Sequence, residues 1–181
     1  MKKNILVLGI CCLFLSCIAG CGYTTRSLIA DKYHTIYVDN FINKIDITRE
    51  GDSEMRYKIY KPTLEVDVTR AVIERLIFDG NLKPVKIGES DLTLKGELVA
   101  FDRDPLKYTN NDEVAEYRIN VRINMVLKDN KEDKELWREN NFTGSKTYFT
   151  TGPYAQSDDS AVHDAVIDLA RRVVERIVEE W

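Results

Sequence analysis

The sequence predicts an α+β fold, a two-layer sandwich in which a four-stranded antiparallel or mixed sheet packs one face against two helices in the order βαβββα. Three observations predict this fold. Apolar and polar residues alternate between Glu116 and Lys128, as in a strand with one buried face. Apolar residues recur every three or four positions in two other segments, as in amphipathic helices. Short turns join consecutive strands, so both helices are left to cover one face of the sheet.

The first strand is predicted at residues 34–38, where a β-branched and aromatic run extends from Thr35 to Val38. Residues 42–61 follow, with the polar sequence Arg49-Glu50-Gly51-Asp52-Ser53 at their centre. Polar stretches that contain glycine are typical of loops. We therefore expect a long mobile loop between the first strand and the first helix.

The first helix is predicted from Pro62-Thr63 to about Phe78. Its apolar residues recur at helical spacing, at Leu64, Val68, Ala71, Val72 and Leu76. The sequence Asp79-Gly80-Asn81 should end it, because glycine commonly follows the last helical turn. The many valine and isoleucine residues favour a strand instead. The periodicity and the good helix formers Arg70, Glu74 and Arg75 outweigh them.

Three strands and a final helix complete the prediction. The strands are expected at residues 91–102, 116–128 and 135–148, and the polar turn 129–133 joins the last two. Ser157 should cap the final helix, with Asp158 and Asp159 placed favourably in its first turn. The apolar stripe of this helix consists of Val162, Val166, Leu169, Val173, Ile177 and Trp181.

The N-terminus has the layout of a secretory signal peptide: Lys2 and Lys3, an apolar run from Ile5 to about Ile18, and small residues before a cysteine. Ile18-Ala19-Gly20-Cys21 matches the bacterial lipobox, in which the cysteine receives diacylglycerol and an N-acyl chain. The alternative of an uncleaved membrane anchor is disfavoured, since a spanning helix usually needs about 20 apolar residues. The other cysteines, Cys11, Cys12 and Cys17, lie in the segment predicted to be removed, which argues against disulfides and thiolate metal sites.

These features divide the chain into a cleaved signal peptide (1–20), a lipidated N-terminus and tether (21–33) and a single domain (34–181). Acyl chains at Cys21 should hold the domain on a membrane, because two or more chains anchor stably. Gly22, and not Asp, follows the acylated cysteine, which favours the outer membrane under the enterobacterial sorting rule. Loss of Lys2 and Lys3 moves the formal charge from −4 to about −6, which argues against a nucleic-acid partner.

No constellation for catalysis stands out in the sequence. The only histidines are His34 and His163, and neither has a metal-binding spacing. A nucleophile would lack the adjacent base and orienting group that it needs. Carboxylate pairs such as Asp112-Glu113 and Glu179-Glu180 are expected in a turn and at a helix end, where solvated charge is usual. We therefore predict no catalytic residue, no metal and no cofactor other than the acyl chains.

The most suggestive surface is the solvated face of the strand 116–128. Arg118 and Arg122 should point the same way, about 13 Å apart at about 3.3 Å per residue, and we expect Lys95 to share that face. Arginine forks suit phosphate and carboxylate groups. These residues could meet an anionic lipid head group or an acidic lumen wall. The alternative is ordinary solvated charge paired with Glu97 or Glu139.

Several short segments, taken together in their order along the chain, carry a family resemblance. They are Cys21-Gly22-Tyr23, 36–41 (IYVDNF), Phe78-Asp79-Gly80, 91–96 (DLTLKG), 112–118 (DEVAEYR), Leu136-Trp137 and 165–170 (AVIDLA). With the lipobox, they resemble the LptE-like family of lipopolysaccharide-assembly lipoproteins. The resemblance implies a lipoprotein that plugs a large outer-membrane β-barrel, the lipopolysaccharide translocon, helps the barrel to fold and contacts lipopolysaccharide. Arg118 lies in one matching segment.

Two other functions stay open at this point. The chain could be an accessory lipoprotein of another envelope lipid-transport or secretion system, which stable association with a large barrel would distinguish. It could also be an envelope enzyme acting on glycan or peptide bonds. The near absence of histidine disfavours the enzyme.

Overall fold

The structure is a computed structural model that describes residues 32–45 and 61–178. The predicted signal peptide, Cys21, most of the predicted tether, residues 46–60 of the predicted loop and residues 179–181 lie outside these ranges. The described elements are β1 (Thr35–Val38), β2 (Ile42–Asn43), α1 (Leu64–Asp79), β3 (Lys83–Pro84), β4 (Leu92–Tyr108), β5 (Val114–Asp129), β6 (Lys134–Phe149) and α2 (Asp158–Val178).

The strands form one mixed sheet in the order β3-β1-β4-β5-β6, with β2 also paired to β4. β1 runs parallel to β3 and β4, whereas β4, β5 and β6 form an antiparallel meander. The predicted α+β class is confirmed. The predicted count of four strands is wrong, because the described ranges hold six. The additional strands β2 and β3 have two residues each, too few to show a period of two in the sequence.

The two helices pack against each other and cover one face of the sheet. The predicted apolar stripes form this layer: Leu64, Val68, Val72 and Leu76 of α1 are buried, and so are Val162, Val166, Leu169, Val173 and Ile177 of α2. They meet the alternate apolar residues of β5, which are Ile119, Val121, Ile123, Met125 and Leu127. The polar residues of β5 point away from the helices, since successive side chains alternate between sheet faces.

Local signals set the helix ends. Gly80 adopts a left-handed conformation (φ 78°), and its N–H donates to Leu76 O at 3.0 Å, as expected for a glycine that ends a helix. The Ser157 hydroxyl accepts a hydrogen bond from Ser160 N–H at 3.3 Å, so the predicted cap of α2 is confirmed. At the start of α1, Thr63 makes no side-chain capping bond, and the helix begins at Leu64.

A close approach between α2 and β6 closes one edge of the sheet. Gly144 faces the main chain of α2, and a Cβ at this position would lie 2.5 Å from Leu169 Cα. The Asp168 carboxylate accepts a hydrogen bond from Ser145 N–H at 3.1 Å, and the Arg172 guanidinium donates to Thr143 O. Side chains of α2 thus form hydrogen bonds with backbone groups of β6 that would otherwise be free to pair with another strand.

Two carboxylates, the buried Asp129 and the half-buried Asp91, hold the first described residues against the sheet. The Tyr33 hydroxyl donates to Asp129 Oδ2 at 2.6 Å, and Asp129 is 1% exposed. Asp91 Oδ2 accepts hydrogen bonds from His34 N–H at 2.9 Å and from Thr35 N–H at 3.1 Å. We call this end of the sheet, with Lys83 and the β5–β6 turn at 130–133, the proximal end. The distal end holds the β4–β5 turn at 109–113 and the segment 150–156.

Candidate functional site

The open face of the sheet, which points away from the helices, carries all three cations predicted to bind a ligand. Arg118 and Arg122 alternate along β5 with its buried residues. Lys95 of β4 lies directly opposite Val126, which belongs to the same side of β5. The structure therefore brings Lys95, Arg118 and Arg122 to one surface.

Arg122 is already paired within the protein. Its guanidinium forms an ion pair with Asp102 on β4, and Asp102 is only 8% exposed. The alternative of charges paired within the protein thus holds for Arg122, but with Asp102 as the partner. Glu139, one of the two partners considered, accepts a hydrogen bond from Arg176 Nε at 2.8 Å. Arg122 thus compensates a buried carboxylate, which would be costly to leave unpaired.

Three cations of the open face, Lys95, Arg118 and Lys128, take no ion pair within residues 32–45 and 61–178. Arg118 is exposed and lies between Asp104 of β4 and Thr147 of β6. Lys95 is exposed, and Lys128 is half-buried on the same side of β5. These three charges are available to an anionic partner.

A groove of about 370 Å³ lies on this face beside β2. Lys95, Lys128 and Arg138 line it, and Ile42 and Val126 add apolar surface. Ile42 is 56% exposed, so this apolar surface is accessible. The groove can hold a phosphate or carboxylate against its cations while an apolar group contacts Ile42. It also carries two carboxylates, those of Asp39 and Glu97.

Sequence reasoning missed Lys128 and Arg138 as members of this site. Lys128 follows the same alternation as Arg118 and Arg122 and could have been included on that ground. Arg138 lies opposite Val126 only because the pairing of β5 with β6 shifts register between Ile123 and Met125. A bulge of this kind leaves no clear signal in one sequence. The Arg138 guanidinium donates to Glu135 from both Nε and Nη2, at 3.1 and 2.7 Å.

A second polar cluster, at the start of α2, has a structural role. The Tyr148 hydroxyl donates to Asp158 Oδ1 at 2.6 Å, and Arg103 forms an ion pair with the same carboxylate. Burial, together with the bond to Asp158, raises the pKa of Tyr148 to about 12. The Arg103 guanidinium also lies 4.5 Å from the centre of the Tyr117 ring. These contacts join α2 to the sheet and leave the hydroxyl protonated at neutral pH.

Within the described ranges, no three His, Cys, Asp or Glu side chains converge on a point where a metal ion could bind. His34 and His163 are both exposed, as is Asp112 in the β4–β5 turn. Neither α1 nor α2 is long and apolar enough to cross a membrane.

Comparison with solved structures shows likeness to several bacterial proteins. The protein CT253 from Chlamydia trachomatis is 10% identical, with a TM-score of 0.50 over 80% of this chain and 95% of that one. Rare lipoprotein B from Shewanella oneidensis is 18% identical, with a TM-score of 0.48 over 80% and 93%. PelC from Paraburkholderia phytofirmans is 11% identical, with a TM-score of 0.49 over 83% and 90%. At these identities the likeness concerns the fold alone.

No curated protein matches the sequence significantly. A family model does: that of LptE, described as lipopolysaccharide-assembly, matches residues 33–180. The match includes every strand and helix of the described structure, from β1 to α2. The chain therefore belongs to the LptE family of lipopolysaccharide-assembly proteins.

Proposed function

We propose that this protein is an outer-membrane lipoprotein, acylated at Cys21, that plugs and helps to assemble the β-barrel of the lipopolysaccharide translocon. In this role it assists lipopolysaccharide transport to the outer leaflet as an accessory subunit and not as an enzyme. The observation that carries the proposal is the family match over residues 33–180. A plug also needs a polar surface toward a water-filled lumen. The charged open face meets that requirement.

Within this function, we assign the open face to contact with the anionic groups of lipopolysaccharide. Lys95, Arg118 and Lys128 form no ion pair with a carboxylate of the described ranges. The groove beside β2 places Ile42 next to Lys95 and Lys128. A lipid with phosphates and acyl chains presents both kinds of group. Arg122 is excluded from this role because its guanidinium already forms an ion pair with Asp102.

The barrel partner is tested by purification of the tagged full-length protein from outer membranes in mild detergent at high salt. We expect a large β-barrel protein in equimolar amount, and we expect the barrel level to fall when this lipoprotein is depleted. Recovery of the lipoprotein alone would contradict the proposal. Recovery with an inner-membrane transporter would indicate a different envelope lipid-transport system.

The ligand-binding face is tested with the variant Lys95→Ala/Arg118→Ala/Lys128→Ala. Each cation near an anionic lipid surface contributes about 1 kcal/mol, so we expect affinity for purified lipopolysaccharide to fall about 100-fold. Fluorescence titration in detergent measures this affinity.

The matched control Lys95→Arg/Arg118→Lys/Lys128→Arg keeps the charges and should retain most of the binding. Unchanged affinity in the alanine variant would exclude the open face as the binding site. Arg122→Ala serves as a second control. It should lower the free energy of unfolding by leaving Asp102 buried and unpaired, but it should change affinity much less than the triple variant.

A further inference from the structure

The proximal end of the sheet is also the end at which the chain enters the domain from its N-terminus. Tyr33 and His34 are fixed there by Asp129 and Asp91. Lys83 N–H donates to His34 O at 2.9 Å, which places the start of β3 beside the same residues. Any membrane anchor upstream of Lys32 is therefore connected to the domain at this end.

Three large apolar side chains are strongly exposed around this end. Ile77 and Phe78, in the last turn of α1, are 66% and 79% exposed, and Ile87, in the loop from β3 to Asp91, is 75% exposed. α1 ends at Asp79, four residues before Lys83. The Arg75 guanidinium lies 5.2 Å from the centre of the Phe78 ring, and Lys86 precedes Ile87. Apolar side chains flanked by long cations are typical of segments that rest in a membrane interface.

We propose that Ile77, Phe78 and Ile87 insert into the bilayer that carries the lipid anchor, so that the proximal end rests on the membrane. The inference relies on acylation of Cys21, which is part of the proposed function. Cys21 precedes Lys32 by 11 positions. Eleven residues reach at most about 40 Å when fully extended.

This tether favours the proximal end over the distal end. β4 runs from one end to the other with 17 residues, a length of about 55 Å. The anchor therefore gives Phe78 a higher effective concentration near lipid than any side chain of the distal end has. Even weak insertion of the three apolar side chains is then sufficient to keep the proximal end on the membrane.

Contact through the apolar side chains is best separated from charge on a neutral lipid surface. Lys131 forms an ion pair with Asp91 at 2.7 Å, and Lys32 forms one with Glu132 at 3.3 Å. Arg75 and Lys86, beside the apolar side chains, form no ion pair within the described ranges. A neutral lipid offers these cations no net opposite charge, so contact there should depend on the apolar side chains and change little with salt concentration.

The test uses the full-length acylated protein in vesicles of neutral phosphatidylcholine, with bromine atoms on the upper acyl chains of the lipid as a quencher. Phe78→Trp places an indole at the proximal end. Tyr154→Trp places one at the distal end, where Tyr154 is 82% exposed. Both variants keep Trp137 and Trp181, so a difference between them comes from the new indole.

We expect about twofold greater quenching for Phe78→Trp than for Tyr154→Trp, as for a side chain buried 5–10 Å into the interface. The difference should persist at high salt. Equal quenching, or greater quenching for Tyr154→Trp, would overturn the proposal. The vesicles contain neither barrel nor lipopolysaccharide, so this outcome is independent of the copurification and binding tests. Mass spectrometry of the same preparation reports whether Cys21 is acylated.

Discussion

Gly144→Ala is expected to lower the free energy of unfolding by about 3 kcal/mol, at the upper end of the usual effect of overpacking. The new Cβ would lie 2.5 Å from both Leu169 Cα and Leu169 N. Carbon atoms normally approach to about 3.5–4.0 Å. The neighbour is the main chain of α2, which cannot turn aside as a side chain can. The whole helix must therefore shift away from β6. Urea denaturation measures the loss as a lower midpoint.

Gly152→Ala is the matched control. Gly152 has φ 88°, and no atom lies within 4 Å of a Cβ built on it. Only the conformational penalty remains there, about 1 kcal/mol. If Gly144→Ala were no more destabilising than Gly152→Ala, the close packing of α2 on β6 would be wrong.

A shift of α2 should also expose an edge of the sheet. Asp168 and Arg172 reach the backbone of β6 only while the helix lies close to it. Without them, β6 presents free N–H and C=O groups, which favour pairing with another chain. We therefore expect Gly144→Ala to self-associate at concentrations at which the unmodified protein does not. Light scattering measures that association.

The long, periodic elements were predictable from the sequence. β5 was expected at 116–128 and spans Val114–Asp129, because one face is buried along nearly its whole length. Both α1 and α2 show the helical period. Gly80 ends α1, and Ser157 caps α2. These features arise from local patterns of burial, which one sequence contains.

The sheet order and the free charges of the site were not predictable. β1 lies between β3 and β4 through parallel pairs that join distant parts of the chain. The shared face of Lys95 and Arg118 followed from alternation along the strands, but the pairing of Arg122 with Asp102 depends on the register of β4 against β5. That register includes a shift between Leu98 and Ala100. Contacts of this kind depend on tertiary packing, which local patterns do not contain.

Asp129→Asn is expected to lower the free energy of unfolding at pH 7 by about 3 kcal/mol, the scale for a buried hydrogen-bonded charge. The carboxylate accepts hydrogen bonds from the Tyr33 hydroxyl and from the N–H groups of Lys131 and Glu132, at 2.6, 2.8 and 3.1 Å. The amide keeps the shape of the side chain but loses the negative charge. Loss of this charge should also weaken the attachment of Tyr33 to the β5–β6 turn.

The pH dependence of stability follows from the direction of two pKa shifts. The hydrogen bond from Tyr33 lowers the pKa of Asp129, and Lys131 with the His34 N–H lowers that of Asp91. In the unfolded chain an aspartate has a pKa of about 3.9. The folded state thus binds these protons less tightly than the unfolded state does. Their stabilisation is complete above the unfolded-state pKa and is lost as the pH falls through the folded-state pKa.

Urea unfolding at a series of pH values should therefore show stability falling below about pH 5, with a smaller slope in Asp129→Asn than in the unmodified protein. Asp112→Asn is the matched control, because Asp112 is an exposed aspartate in the β4–β5 turn. It should leave stability at pH 7 within about 0.5 kcal/mol. An unchanged slope in Asp129→Asn would mean that the buried carboxylate does not stabilise the proximal end. The attachment of Tyr33 would then depend on Asp91 and on the pairing of β1 with its neighbours.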